Sequence, residues 1–454
     1  MGQKRLLCIL TLGLSLMSPT ALTQAESFDE WKSRQQQQTD AWFSEQQQAF
    51  ADMLRSDWEA FNSHLSAREG YQPKPSAPPS TEPLPPKPAQ PIAPALPEPE
   101  ARAAPDGRSL PFIGHTLSLP AWNAPIPTNY DDSKVFAEAW EALARAPDTE
   151  VMVEWLENQQ RALNLGDWGV WKLIRAVSTG NQQQQAVRTW YLLLAMGYDV
   201  KIGFNKHRVA VLPQVEQTIY WKQYYTGAGL RYYDLTQTES LPDQLFLHGQ
   251  SGNDRKPLDF SFRKQPRTNP STRSVAITHR DRSLELLFDA QLATFYQQHP
   301  TIDLIHYFEA PLDPILEASL QKTWSGMATD TMSDLARLNL LLGLVQHGVR
   351  YQLDSDLFGI EEYYQLPGEL LANGAGDCED RSILFARMGR QLLKRNIVGV
   401  RYPGHVATAV QVDGPGISYS LDNKRYLVAD PTYIGSSAGE AIPDLAEEQP
   451  ELIF

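Results

Sequence analysis

The chain has 454 residues, of which 42% are hydrophobic, 21% are charged and only two are cysteine. This composition excludes the disulfide-rich and collagen-like classes, and the length predicts more than one domain. The formal net charge of −14 argues against nucleic acid as a main partner.

Residues 1–25 are typical of a secretory signal peptide, because two cations precede an apolar run that is followed by small residues up to Ala25. We therefore expect export to the periplasm or the cell surface. We expect no transmembrane span in the mature chain, since no later apolar stretch is long enough. Cleavage after Ala25 would remove Cys8 and leave Cys378 as the one cysteine, so an intramolecular disulfide is not expected.

Two polar segments follow the predicted signal peptide. In residues 26–70, Gln-rich sequence carries apolar side chains at spacings of three, four and seven, which predicts an amphipathic or coiled-coil helix. This helix would dock on a partner protein or a membrane surface, or pack on the chain's own downstream domain, and both alternatives stay open. Residues 71–110 predict a Pro-rich disordered linker, since 12 of the 33 prolines lie between positions 71 and 100.

Residues 111–302 alternate between helical and strand patterns. The first part, 111–249, predicts helices at 133–146, 150–163 and 182–196 and a strand at 200–204. The second part, 250–302, predicts a β-rich connecting module with strands at 274–277 and 284–288. Residues 303–348 are again helical in pattern, and they open the final predicted domain, 303–454.

The final domain contains a cysteine at a predicted helix start. Gly374 and Gly376 permit a tight loop, Asp377 can cap the helix, and the residues after Cys378 form an apolar face. The N–H groups and the partial positive charge of a helix N-terminus favour the thiolate form of Cys378. Glu379, Asp380 and Arg381 are interpreted as first-turn capping and ion-pair residues.

Three strands are predicted after this helix, at 397–402, 406–412 and 425–429, and the last ends at Asp430. Antiparallel pairing would place His405 beside Asp430, and the helix packed across the sheet would bring Cys378 within reach. These residue types suit a nucleophile, a general base and an orienting acid, with sequence separations of 27 and 25 residues. The backbone N–H of Cys378 would supply one oxyanion donor, and Gln365 is the candidate for the other.

The motifs GDCEDRSILFA, YPGHVATAV and YLVADPTYIG resemble the three core motifs of the bacterial transglutaminase-like cysteine protease superfamily. The resemblance covers about residues 334–439. It implies an α+β, papain-like fold in which a helix bearing Cys378 packs on an antiparallel sheet bearing His405 and Asp430, and it gives these residues the roles of nucleophile, base and acid. Such domains include peptidases, amidases, protein cross-linkers and inactive versions.

Residues 180–212 repeat this order of elements: a Gly-led helix, a strand, and a strand that follows a histidine. Aligning the two segments puts Gln182 at the nucleophile position, with His207 and Asp234 following at gaps of 25 and 27 residues. We therefore predict that 111–249 is a degenerate transglutaminase-like domain without a nucleophile. The alternative is an unrelated α/β domain with a coincident order of elements.

The sequence predicts an exported cysteine hydrolase, a peptidase or amidase that acts through a thioester on a protein or peptide substrate. An acyltransferase that passes the same thioester to a lysine amine stays open, as does a non-catalytic binding or assembly protein. The chemistry requires no cofactor. The sequence has no zinc-protease or EF-hand motif, and calcium held by surface carboxylates is left open.

Overall fold

The structure of the protein, a computed structural model, describes residues 109–130, 133–205, 208–227, 229–236, 245–248, 255–329, 331–360, 362–446 and 448–454. All of them belong to one unit, Ala93–Phe454. The predicted signal peptide, the helix of 26–70 and nearly all of the linker lie outside the described residues, as does His207. Among the helices of the described part, none is both long enough and apolar enough to cross a bilayer.

The fold is α+β, as predicted. It begins with an antiparallel hairpin of β1 (Ser109–Phe112) and β2 (His115–Ser118). Four helices follow: α1 (Ser133–Arg145), α2 (Pro147–Ala162), α3 (Asp167–Val177) and α4 (Gln182–Ala195). The start of α4 is fixed by a capping box, in which the side chains of Asn181 and Gln184 each accept a hydrogen bond from the other residue's backbone N–H.

A small sheet follows α4. Its strands are β3 (Val200–Phe204), β4 (Val209–Pro213), β5 (Tyr224–Gly227), β6 (Leu230–Tyr233) and β7 (Phe246–His248). β3 pairs with β4 and β7, and β5 pairs with β6. A single antiparallel bridge between Gln214 and Tyr232 joins the end of β4 to β6. The strands therefore lie in the spatial order β5, β6, β4, β3, β7.

A long hairpin of β8 (Thr272–His279) and β9 (Arg282–Asp289) follows, and then α5 (Ala290–Tyr296). The helical pattern of 303–348 forms three helices, α6 (Leu304–Glu309), α7 (Pro314–Ser325) and α8 (Asp334–Gly348). The break before α7 has a local cause, because Pro314 fits only the first turn of a helix. β8 packs on α8 and β9 packs on α7, so the hairpin lies against the helices that follow it. The domain boundaries stay predictions.

The last part of the chain builds a second sheet around one helix. Short elements come first: β10 (Arg350–Tyr351), α9 (Asp354–Leu357), α10 (Pro367–Asn373) and β11 (Ala375–Gly376). They lead into α11 (Cys378–Leu393) and the strands β12 (Ile397–Tyr402), β13 (His405–Val410), β14 (Ser418–Leu421), β15 (Lys424–Ala429) and β16 (Glu451–Ile453). The sheet order is β14, β15, β13, β12, β16, with every pair antiparallel.

Helix α11 lies in the core between α8 and this sheet. Residues from Glu379 to Ala386 on α11 are all buried. The helix approaches β12 closely at Gly389, where an added Cβ would lie 2.4 Å from Cδ1 of Ile397. The helix also contacts β13, where Ser382 of α11 donates a hydrogen bond of 3.0 Å to the carbonyl of Val406. These contacts hold the start of α11 next to the start of β13.

Candidate active site

Cys378 is the first residue of α11, as the glycine pattern predicts. Gly374 ends α10 in the left-handed conformation with φ of 68°, and the chain returns through β11 to the new helix. Backbone N–H groups in the first turn of a helix have no intrahelical partner, so that of Cys378 is available to a bound group. The sulfur of Cys378 is partly buried and lies 3.1 Å from Oε2 of Glu379.

His405 and Asp430 lie side by side on the sheet. The hairpin turn at Gly404, with φ of 70°, starts β13 at His405, and the pairing of Thr408 with Ala429 brings the end of β15 to the same edge. Nε2 of His405 lies 2.8 Å from Oδ2 of Asp430, which is only 1% exposed. The other imidazole nitrogen, Nδ1, is therefore the one that Asp430 leaves unused.

The electrostatics of His405 reflect both neighbours. Burial disfavours the charged imidazolium, but hydrogen bonds from the ring to Asp430 and Cys378, together with their negative charges, raise the pKa of His405 to about 9. The ring therefore holds its proton at neutral pH. An imidazolium between a carboxylate and a sulfur is the arrangement required for a thiolate–imidazolium pair.

The loop after Asp430 is held by a residue that the sequence interpretation missed. Oδ1 of Asp430 accepts from the backbone N–H groups of Thr432 and Tyr433 at 2.8 and 3.1 Å. Gln346, on α8 and 2% exposed, donates from Nε2 to the carbonyls of Asp430, Tyr433 and Ser436. Nothing in the local sequence signals this role, since Gln346 lies 84 residues before Asp430.

Arg381 joins α11 to α8. The side chain is fully buried and its Nη2 donates to the carbonyls of Gln346 and Val349 at 2.5 and 2.7 Å. A guanidinium at the last carbonyls of a helix is stabilised by the helix dipole. Burial lowers the pKa of Arg381, and the nearby Asp430 opposes that shift. Arg381 was predicted to be a first-turn capping or ion-pair residue, and its contacts are instead with the backbone carbonyls at the end of α8.

Gln365 does not have the place that an oxyanion donor requires. It is fully buried, and its Nε2 donates to the carbonyl of Ala375 and to a carboxylate oxygen of Asp380. Its backbone N–H also donates to Asp380, and its Oε1 accepts from Asn373. Both amide hydrogens are thus used inside the protein. The contacts correct the expectation: Gln365 ties the loop before α10 to the first turn of α11.

A group of buried carboxylates includes both sequence neighbours of Cys378, a feature that the sequence analysis did not anticipate. Oxygens of Asp354, Asp377 and Glu379 lie within 4.8 Å of one another, and all three residues are buried. One oxygen of each has no hydrogen-bond partner. Burial raises the pKa of all three carboxyls, that of Asp354 to about 7, and the charge of Asp377 adds to the shifts of Asp354 and Glu379. Such a group is stabilised by bound protons or by a cation.

Comparison with known proteins adds little to this geometry. No protein-family profile and no curated protein matches the chain. A solved structure from Cytophaga hutchinsonii, described as a candidate cysteine protease, is similar to 33% of this chain at 14% sequence identity, with a TM-score of 0.20. The matched part spans 50% of that protein's length. A likeness of this size carries no conclusion, so function must be inferred from the site, and membership of the transglutaminase-like superfamily stays a prediction.

Proposed function

We propose that this protein is an exported cysteine hydrolase that cleaves a peptide or amide bond in a protein or peptide substrate. The observation that carries the proposal is the placement of His405, whose Nε2 lies 2.8 Å from Oδ2 of Asp430 and whose pKa is raised by both Asp430 and Cys378. Nucleophile, base and orienting acid come from a helix start, a strand start and a strand end.

In the first half of the reaction, the thiolate of Cys378 attacks the carbonyl carbon of the scissile bond. The electron pair of the C=O bond moves to oxygen, and the backbone N–H of Cys378 donates to that oxyanion. As the tetrahedral species collapses, the C–N bond breaks and the imidazolium of His405 gives its proton to the leaving amine. The products are a free amine and a thioester on Cys378.

In the second half, neutral His405 takes a proton from water, and the hydroxide oxygen attacks the thioester carbon. The C–S bond breaks, the carboxylic acid leaves, and Cys378 and His405 return to the thiolate–imidazolium pair. Asp430 stays ionised and keeps the ring oriented through Nε2. If a lysine amine replaced water in this step, the same groups would make a protein cross-link, which is the acyltransferase alternative.

The acidic group beside Cys378 fits a hard divalent cation such as Ca²⁺. The donor set is all carboxylate, from Asp354, Asp377 and Glu379, and each residue offers an oxygen without a protein partner. When bound, the cation would neutralise Asp377 and Glu379 on either side of Cys378 and so reduce their repulsion of a thiolate. The sequence analysis left open a calcium ion held by surface carboxylates. The group proposed here is buried instead.

The decisive experiment measures the reactivity of Cys378 and then its products. Iodoacetamide should alkylate the folded protein at neutral pH faster than it alkylates a free model thiol, and Asp430→Asn should slow this reaction. Incubation with exported-protein extracts should then create new N-termini that are absent with Cys378→Ser. New lysine cross-links in place of new N-termini would favour the acyltransferase. Alkylation no faster than the model thiol would refute both enzymatic functions and leave a binding protein.

A further inference from the structure

The upstream sheet matches the downstream sheet strand by strand. β5, β6, β4, β3 and β7 lie in the same order as β14, β15, β13, β12 and β16, and each set follows a long helix, α4 or α11. The two hairpins that follow these helices are both antiparallel. Positions at the starts of α4 and β4 and at the end of β6 therefore correspond to the three candidate catalytic positions downstream.

The side chains at these corresponding positions differ from those downstream. Gln182 starts α4 where a nucleophile would stand. Asp234, fully buried after β6, accepts from the N–H and hydroxyl of Thr236 through Oδ1, much as Asp430 accepts from the N–H of Thr432. Its Oδ2, however, pairs with Nη1 of Arg208 at 2.6 Å. A guanidinium thus faces this acid, in a place where an arginine can bind anions but cannot act as a base.

A large open cleft lies at this position. Its volume is about 980 Å³, at the upper end of the range typical of ligand sites. Residues from α3, α4 and β4 line it, with Trp168 and Trp171 among them. The polar lining groups include the amides of Gln182 and Gln185. Amide side chains can donate to and accept from the backbone of a bound peptide.

The cleft is positively charged in a protein of net charge −14. Lys172, Arg175 and Arg208 line it, and among the described lining residues there is no carboxylate. The cations are held in place: Lys172 donates to the carbonyl of Phe295, and the guanidinium of Arg175 lies 5.7 Å from the ring centre of Trp171. The charge of Arg208 is matched by a buried acid behind it, Asp234.

We propose that this cleft binds an acidic segment of the polypeptide on which the downstream site acts. The proposal rests on the proposed function, because it assigns the upstream domain to substrate recognition. The amide side chains and the cationic lining suit a peptide that carries Asp or Glu. The size of the cleft favours a chain segment over a single small anion.

Binding can be measured on the full chain with Cys378→Ser, so that cleavage plays no part. The probe is a short fluorescein-labelled peptide in which Glu alternates with Ala, and the matched probe replaces each Glu with Gln. Fluorescence anisotropy at low and at physiological salt should show binding of the Glu peptide that weakens with salt. Arg175→Gln should weaken binding about fivefold, the effect of losing one charge-assisted contact.

The control is Arg145→Gln, which removes an exposed arginine on α1 that pairs with Glu141. It should leave the affinity unchanged. Arg208→Gln serves as a second cleft variant, with circular dichroism to confirm that it folds. Equal affinity for the Gln peptide, no effect of either cleft variant, or tighter binding of single-stranded DNA would overturn the proposal. Failure of the proposed function is seen separately, as slow alkylation of Cys378 in the wild-type chain.

Discussion

Replacing Asp430 with Asn should make the stability of the protein less dependent on pH. The folded chain raises the pKa of His405 to about 9, against an ordinary value of 6.5. A basic group whose pKa is raised on folding stabilises the folded state fully below its unfolded pKa, and this contribution is lost as the pH rises through the folded pKa. The window for His405 therefore runs from pH 6.5 to about 9.

The size of the effect follows from the two pKa values. Their difference corresponds to about 3 kcal/mol of unfolding free energy that the wild type loses across this window. The amide introduced by Asp430→Asn could keep the contacts that Oδ1 of Asp430 makes with Thr432 and Tyr433, but it carries no charge for the imidazolium. Since burial alone lowers the pKa of His405, the variant should lose about 2 kcal/mol or more of this pH dependence.

Urea unfolding, followed by far-UV circular dichroism at about pH 6 and about pH 9.5, measures this difference. The wild type and the variant share the other groups that titrate in this range, such as Asp354 and Glu369 with pKa values of about 7, so their contributions cancel in the comparison. Asp413→Asn, at a position on the loop before β14, is the matched control and should behave as the wild type. If Asp430→Asn retained the wild-type pH dependence, the inferred His405–Asp430 pairing would be wrong.

Three further outcomes are expected. Gly376→Ala should destabilise the fold by about 1–3 kcal/mol in urea, because its new Cβ would lie 2.4 Å from Oδ2 of Asp380, whereas Gly368→Ala, with its nearest neighbour at 3.9 Å, should not. Ca²⁺ should raise the thermal midpoint and a chelator should reverse the rise, and Asp354→Asn should abolish both responses if the carboxylate group holds the ion. Gln346→Leu should cost about 2–3 kcal/mol of unfolding free energy and slow alkylation of Cys378, since three loop carbonyls lose their donor. Alkylation at the wild-type rate would mean that α8 does not position Asp430.

The sequence predicted those parts of the fold whose causes are local. Gly374 and Gly376 mark the loop before α11, and the turn at Gly404 marks the start of β13. The local sequence was therefore enough to predict that Cys378 starts a helix and His405 starts a strand. The end of β15 before Asp430 could be predicted as well, since Pro431 stops the strand. Short-range patterns of apolar residues and turn residues carry this information directly.

The parts that sequence could not predict depend on contacts between distant residues. The β14 strand, Ser418–Leu421, has only four residues, two of them serine, and it is found paired with β15. The role of Gln346 requires α8 and the loop after β15 to meet. Asp354 joins Asp377 and Glu379 only through the fold, and Gln365 was misassigned because a sequence does not reveal which hydrogen-bond donors are already used.

The hydrogen bonds from Gln346 to the loop after Asp430 also limit how far this protein can be shortened. A fragment that begins at Asp354 would contain Cys378, His405 and Asp430, together with every motif that suggested them. It would lack α8, and with it the amide that holds the loop after Asp430 and the carbonyls that accept from Arg381. The three motifs alone therefore do not include these contacts, and we expect that a fragment must begin before Asp334 to hold His405 and Asp430 in place.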